Sequence, residues 1–239
     1  MTTTSAKNFA KKIKWTMVLV FGFMSIAAGA HADSITFSDG TFNTADWALQ
    51  TIVISGNSPT MVSATQQTTG GNPGDFRQIE HSFTGPTHFA SISLYEVSTY
   101  NPSVSGAITS VNFSEDAISI ESYQSTGIVL QQGGNYYFDY LIDVNNTVWQ
   151  TLSKTGLVAT DFKTTTGQTP DFSIGGGPIT FGFYEANSVT DSNSYDTKVG
   201  IDNLKVTLNY TPVPLPSSFL LFGTGLFLLT KWQRNRKSS

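Results

Sequence analysis

The stretch FASISLYEV, from Phe89 to Val97, interleaves small or polar residues with larger apolar ones. Its large apolar members are Phe89, Ile92, Leu94 and Tyr95. This pattern is typical of a β-strand that buries one face. Five further segments show strand-like alternation: Ala48–Ser55, Ala117–Tyr123, Tyr136–Ile142, Ile179–Glu185 and Val199–Leu208.

Turn-forming sequences separate these segments, and they are rich in Gly, Asn and Pro. The clearest are Gly70-Gly71-Asn72-Pro73-Gly74, Gly133-Gly134-Asn135 and Gly175-Gly176-Gly177-Pro178. One short helix is predicted from Thr147 to Gly156, with Gly156 as its terminating glycine. Many strands, frequent turns and no alternating helices predict an all-β fold, a two-sheet sandwich of the jelly-roll type.

The predicted sandwich domain, residues 33–211, is strongly acidic. All 17 acidic residues of the chain lie in it but only five of the 13 basic ones, so its net charge is −12. Such a surface argues against nucleic acid and anionic lipid as partners. The chain has no Cys, so an exported domain of this sequence must hold its fold without disulfides.

The N-terminus reads as an export signal. Lys7, Lys11, Lys12 and Lys14 are followed by an apolar run from Trp15 to Gly29 and by the small-residue site Ala30-His31-Ala32. This order predicts a signal peptide over residues 1–32 that is cleaved after Ala32. An uncleaved anchor is the alternative, although 15 apolar residues are few for a membrane span.

The C-terminal segment, residues 212–239, has three parts in a fixed order. The motif Val213-Pro214-Leu215-Pro216 leads into an uncharged stretch, Ser217–Thr230, and then into a basic end. The stretch predicts a short membrane helix, and the positive charges place the end in the cytoplasm. Two interpretations stay open: a plain tail anchor, or a sorting signal cut near the proline motif.

This tail resembles the PEP-CTERM class of bacterial sorting signals in its VPLPA-type variant. The resemblance implies recognition by an exosortase-type enzyme, an inner-membrane intermediate held by the C-terminal helix, and delivery to the cell surface or extracellular matrix. Leu215 stands where the commonest form has Glu, and Ser217 stands where Ala is usual. Which sorting enzyme reads the tail is therefore left open.

Short pieces of the domain, two of them at its ends, resemble carbohydrate-binding-module and lectin-like jelly rolls, whose first and last strands lie side by side. These pieces are Phe37–Phe42 with Trp47, Val199–Leu204 and the loop Gly71–Arg77. The resemblance implies a non-catalytic protein that binds polysaccharide.

Aromatic rings on a sheet stack on sugar rings, and polar side chains beside them bind hydroxyl groups. The candidate ligand-binding residues are Tyr137, Asp139, Trp149 and Tyr184. Packing in the core is the alternative for each ring.

Two acidic residues are candidates for a structural Ca²⁺ site. Asp39 lies in a turn before the first long predicted strand, and Asp202 lies near the start of the last one. If these strands are neighbours, the two carboxylates can share one ion with backbone carbonyls. The alternative is that each caps its own turn or strand end.

The sequence contains no metalloprotease, phosphate-loop or nucleophile-elbow motif, and no catalytic residue is assigned. The competing function is a secreted glycan hydrolase or lyase, which needs two carboxylates facing across a cleft. The acids in or beside predicted strands are Glu80, Glu96, Glu115, Asp116, Glu121, Asp139 and Asp143. A Ser–His–Asp triad built on His81 or His88 also stays open, because its members need not be close in sequence.

Mass spectrometry of the mature native protein tests the C-terminal interpretation. If the tail is a processed signal, peptides bearing Arg236 and Lys237 are absent, because cleavage near Val213–Pro216 removes them. Recovery of an intact C-terminus establishes the plain anchor instead.

Overall fold

The computed structural model describes residues 32–140 and 142–213, and within them the chain runs through twelve β-strands. In chain order these are β1 (Asp33–Asp39), β2 (Trp47–Gly56), β3 (Met61–Gly71), β4 (Gly74–Thr84), β5 (Thr87–Tyr100), β6 (Gly106–Glu121), β7 (Gln124–Gln132), β8 (Asn135–Phe138), β9 (Ile142–Val144), β10 (Gln150–Leu157), β11 (Ile179–Val189) and β12 (Ser194–Pro212). Single helical turns lie at Thr44–Asp46, Pro102–Ser105 and Ala159–Asp161. None of the helices in these residues is long and apolar enough to cross a membrane.

The strands pair antiparallel into two six-stranded sheets. The first sheet has the order β10-β6-β12-β4-β3, with β1 beside the second half of β12. The second sheet has the order β2-β5-β11-β7-β8, with β9 also beside β7. The predicted all-β sandwich is therefore confirmed, and so is the adjacency of the first and last strands. The predicted signal peptide and membrane helix lie outside the described residues, apart from Ala32, Pro212 and Val213.

Aromatic packing fills much of the space between the sheets. The Trp47 ring lies 5.3 Å from the ring of Phe42, 4.9 Å from that of Tyr95 and 5.3 Å from that of Phe183, centroid to centroid. Phe37 of the first sheet stacks on Phe181 of the second at 5.8 Å. These contacts join the first two strands of the chain to β5 and β11.

The helix predicted over Thr147–Gly156 is wrong, because this segment forms β10. Its side chains alternate between solvent and interior with a period of two, and Leu152, Lys154 and Leu157 are buried. Gly156 has a positive φ of 71° and lies where the pairing with β6 shifts register. A glycine in a β-bulge gives the same sequence signal as a glycine that ends a helix.

Part of the interface between the sheets is polar, and hydrogen bonds cross it. Seven of them join side chains of the first sheet to side chains of the second: His81 to Ser91, His81 to Asn187, Thr197 to Asn187, Arg77 to Ser93, Thr126 to Glu115, Gln124 to Thr197 and Asp39 to Trp47. Buried hydrogen bonds are directional, so they fix how one sheet lies over the other.

Two carboxyl groups lie fully buried in this polar layer. Glu115 of β6 and Glu185 of β11 are both 0% exposed. Each binds one hydroxyl through one oxygen, while the other oxygen makes no hydrogen bond within the described protein. Burial raises the pKa of Glu115 to about 8 and holds that of Glu185 well above its ordinary value. The nearby charge of Glu115 raises the pKa of Glu185 further, and Arg77 opposes the rise.

The pKa of His81 is shifted in the opposite direction. Its ring is fully buried, with Nδ1 2.6 Å from Asn187 Oδ1 and Nε2 2.8 Å from Ser91 Oγ. Burial lowers its pKa from 6.5 to about 4. The folded state therefore disfavours a charged His81 at acid pH and a charged Glu115 at alkaline pH.

We expect the free energy of unfolding to fall as pH rises from 6.5 to 9. Folded Glu115 has a pKa of about 8, whereas the ordinary pKa of a glutamate, as in the unfolded chain, is 4.5. The folded state therefore binds more protons than the unfolded state in this pH range. Unfolded His81 is half protonated at pH 6.5 while folded His81 is neutral, so its opposing slope is small and fades within about one pH unit. Urea unfolding at several pH values should show a loss on the order of 1–2 kcal/mol.

The variants Glu115→Gln and Glu185→Gln should each flatten this dependence, because glutamine mimics the protonated carboxyl. The exposed Glu96→Gln is the matched control and should keep the wild-type slope. Equal wild-type stability at pH 6.5 and pH 9 contradicts the assignment of buried neutral carboxyls.

Candidate functional site

The outer face of the second sheet is apolar, although it faces away from the first sheet. Its buried residues form a cluster separate from the main core, with four partly buried side chains packed against it. The members are Ala90, Ile92, Leu94, Val129, Tyr184 and Ala186, with Ala48, Ile52, Tyr136 and Phe138. Antiparallel sheets usually present polar residues to solvent, so an apolar outer face needs cover or a ligand.

The segment 163–168 covers one side of this face. Lys163 pairs with Phe138 through two backbone hydrogen bonds of 2.9 Å, which adds a short extension beyond β8. The chain then turns back, with Thr164 N–H donating to Gln168 O at 2.8 Å and Gly167 N–H donating to Thr164 O at 2.9 Å. This turn forms a wall above the sheet and leaves a groove between the wall and β2.

Two adjoining cavities of about 220 and 260 Å³ make up the groove. The first is lined by Ile52, Ile54, His88, Ala90, Phe138, Lys163, Thr164, Thr165, Tyr184 and Ala186. The second is lined by Ile52, Gly134, Asn135, Tyr136, Phe138, Thr164, Thr165, Thr166 and Gln168. The floor is aromatic and aliphatic, and hydroxyl and amide groups line the rim. Neither lining contains an Asp or Glu among the described residues.

Tyr184 and Phe138 form an aromatic pair in this floor. Their ring centroids are 4.8 Å apart and their planes meet at 68°, an edge-to-face arrangement. The Tyr184 hydroxyl donates to the backbone oxygen of Asp139. Burial and the neighbouring Asp139 charge raise the pKa of Tyr184 well above its ordinary value, so the phenol stays a neutral donor.

Asp139 does not face the groove. Its carboxylate lies 2.8 Å from Lys154 Nζ, and the two side chains are 2% and 4% exposed. It also accepts from Tyr140 N–H at 2.7 Å. Lys154 belongs to β10, so this buried ion pair ties the chain after β8 to the edge of the first sheet. The expected ligand contact is replaced by a structural ion pair.

Tyr137 and Trp149 also lie away from the groove. Tyr137 is 7% exposed and packs in the main core, on the opposite side of β8 from Phe138. Trp149 donates its indole N–H to Gly70 O at 3.0 Å and meets Phe76 edge-on at 5.5 Å. Of the four candidate ligand-binding residues, Tyr184 alone lines the groove.

The carboxylates of Asp39 and Asp202 each accept hydrogen bonds from donors close to them. Asp39 accepts hydrogen bonds from both donors of Thr41, from Phe42 N–H and from the Trp47 indole. Burial raises the pKa of Asp39, but these hydrogen bonds together outweigh it and lower the value. The alternative in which Asp39 caps its turn accounts for all of these contacts.

Asp202 lies opposite Asp116 in the pairing of β12 with β6 and accepts from the backbone N–H groups of Asn72 and Asn203. Burial raises its pKa, and the charge of Asp116 adds to the rise. No group of three or more His, Asp or Glu side chains in the described ranges is arranged to hold a metal. The calcium site stays a prediction.

Two of the candidate catalytic groups, Glu115 and His81, are buried between the sheets. Glu115 faces Glu185 inside the sandwich, and the sequence analysis missed Glu185 because it ends an aromatic strand segment. His81 and Ser91 have the spacing of a nucleophile and its base, yet both are 0% exposed. A substrate cannot reach either pair without separating the sheets.

Comparisons with known proteins give a distant likeness of fold. No family model matches the chain, and no curated protein matches it. It is similar to a family 11 carbohydrate-binding module from Clostridium thermocellum, solved with a β-1,3-1,4-mixed-linked tetrasaccharide. That alignment has 14% identity, covers 75% of this chain and 96% of the module, and has a TM-score of 0.44.

It is also similar to a xylan-binding domain of family 22 from Paenibacillus barcinonensis. Here the identity is 12%, the coverage is 78% of this chain and 100% of that domain, and the TM-score is 0.40. At these values neither module informs on the ligand of the groove, which has to be argued from its own residues.

We expect Lys154→Met to lower the free energy of unfolding by about 3 kcal/mol, because it leaves the Asp139 carboxylate buried without a partner. Lys198→Met is the matched control: its ion pair with Glu80, at 3.3 Å, is partly exposed, so the loss should stay below about 1 kcal/mol. Urea unfolding measures both. The double variant Asp139→Asn/Lys154→Met should recover part of the loss; equal losses at Lys154 and Lys198 contradict the structural role of the pair.

Proposed function

We propose that this protein is an exported, non-catalytic surface or extracellular-matrix protein that binds polysaccharide in the groove of the second sheet. The observation that carries the proposal is the chemistry of the groove. Aromatic and aliphatic side chains form its floor, hydroxyl and amide groups line its rim together with Lys163 and His88, and no described lining residue is acidic. The domain around it has a net charge of −12.

A sugar ring matches both parts of this groove. The C–H faces of a pyranose pack on aromatic rings such as Phe138 and Tyr136, which are half-buried and open to the groove. The hydroxyl groups at the edge of the sugar need donors and acceptors, and Thr164, Thr165 and Gln168 offer both. A ligand site of this type is largely apolar, with few polar groups that orient the ligand.

Both ends of the chain support export under this proposal. The basic and apolar N-terminal segment and the proline-motif tail suit a protein that crosses the inner membrane, is handled by an exosortase-type enzyme and reaches the cell surface or matrix. The sandwich suits that destination because it contains no Cys and is held by core packing and inter-sheet hydrogen bonds.

The competing function, a glycan hydrolase or lyase, meets a specific difficulty in the groove. Hydrolysis by paired carboxylates needs two such groups about 5–9 Å apart across the sugar. Within the described lining there is no carboxylate to act as acid, base or nucleophile. Hydrolysis of glycans is therefore measured together with binding.

We expect the fragment 32–213, which contains every strand pairing of both sheets, to bind neutral oligosaccharides on a glycan array and to release no reducing ends from them. Phe138→Ala and Tyr136→Ala should each weaken binding about tenfold or more, since one aromatic contact is worth about 1 kcal/mol beyond the area it buries. Trp149→Ala removes a ring outside the groove and should bind as wild type does.

Two results contradict the proposal. Binding that is lost in Trp149→Ala but kept in Phe138→Ala moves the site to the first sheet. Release of reducing ends that persists through purification, and is lost on Glu121→Gln or Asp139→Asn in variants whose melting temperature shows them to be folded, establishes the enzyme instead.

A further inference from the structure

Gly127 lies in the middle of β7, directly opposite Tyr184 in the pairing with β11. A β-carbon at this position would stand 2.8 Å from Tyr184 Cε1, 3.2 Å from Cζ and 3.3 Å from Oη. These distances are shorter than normal carbon contacts, so the ring occupies the space that any other side chain would take. The backbone of Gly127 does not require glycine, because it is not among the residues with positive φ.

Glycine in a strand interior destabilises the strand by roughly 0.5–1 kcal/mol and commonly marks the close approach of another group. Here the approaching group is the ring of Tyr184. The absent side chain at Gly127 lets this ring lie flat across β7 rather than stand up from the sheet.

Two further contacts hold the ring in that position, and an ion pair holds one of the partners. Its hydroxyl donates to Asp139 O, and the ring packs edge-to-face with that of Phe138 at 4.8 Å between centroids. Asp139 is itself held by the ion pair with Lys154. The ring therefore forms part of the groove floor without filling the groove, although it is only 6% exposed.

We infer that Gly127 is a positioning residue of the groove: by lacking a β-carbon it keeps the Tyr184 ring flat and the space above the ring open for a ligand. The link to ligand binding rests on the proposed function. The geometric part stands on the contact between Gly127 and Tyr184 alone.

Gly127→Ala in the full-length protein tests the inference, with Gly177→Ala as the matched control. A β-carbon at Gly177 meets no atom within 4 Å, and its φ is not positive. The first readout is the NMR signal of the Tyr184 ring in protein with ¹³C-labelled tyrosine. It should shift in Gly127→Ala and stay in place in Gly177→Ala.

The second readout is affinity for cellohexaose and xylohexaose, two neutral probes. Gly127→Ala should bind about tenfold or more weakly, because the displaced ring takes up ligand space. Gly177→Ala should bind as wild type does. An unmoved Tyr184 signal in Gly127→Ala overturns the inference, and so does a moved ring with unchanged affinity.

If the wild type binds neither probe nor any array glycan, the proposed function fails while the Tyr184 signal still decides the geometry. A second background covers the case in which Gly127→Ala folds poorly. Tyr184→Leu shortens the side chain that clashes, so Gly127→Ala should lower the melting temperature less in that background than in wild type. Equal decreases in both backgrounds overturn the inference, because the damage then has nothing to do with the ring.

Discussion

The ion pair between Lys154 and Asp139 is the contact on which the groove depends. It joins the edge strand of the first sheet to the chain that leaves β8, and both charges are almost completely buried. Because Asp139 is held, its carbonyl is fixed as the acceptor for Tyr184. The preceding residue, Phe138, is in turn fixed as the partner of Lys163 in the groove wall. A buried pair contributes little net stability against an apolar replacement, but it positions the groups bonded to it.

A small number of buried polar side chains also holds the two sheets of the sandwich together. A domain without disulfides has to fix the relation between its two sheets by packing and hydrogen bonds alone. At one part of the interface aromatic rings such as Trp47 and Phe183 interlock. At another part the side chains of His81 and Glu115 reach across to the opposite sheet. Burial keeps the imidazole neutral and raises the pKa of the carboxyl, so this layer consists largely of neutral hydrogen-bonding groups near neutral pH.

The strands with clean alternation could be predicted from the sequence, and the groove could not. Ala48–Ser55, Phe89–Val97, Ile179–Glu185 and Val199–Leu208 all lie inside observed strands, because their sequences place large apolar residues with the period of a strand. Alternation does not say which face is the core when both faces of a sheet are apolar. For this reason the sequence pattern predicted Tyr137 as a ligand-binding residue, although it packs in the main core. Its neighbours Tyr136 and Phe138 line the groove instead. Asp139 and Lys154 meet only through the tertiary fold, since 15 positions of sequence and a change of sheet separate them.

The distribution of acidic residues over the domain favours a neutral ligand in the groove. Seventeen acids give the domain a field that disfavours the approach of polyanions, yet acids are absent from the described groove lining. Two of the buried acids have structural partners: Asp39 hydrogen-bonds its turn, and Glu115 reaches across the sandwich. A neutral glycan meets no acidic group in the described lining, and Lys163 at its rim can act as a hydrogen-bond donor. Under the proposed function, the affinity for a glycan then depends on ring packing and hydroxyl contacts. The position of the Tyr184 ring over Gly127 therefore matters for binding, because it sets how much space the groove leaves for the ligand.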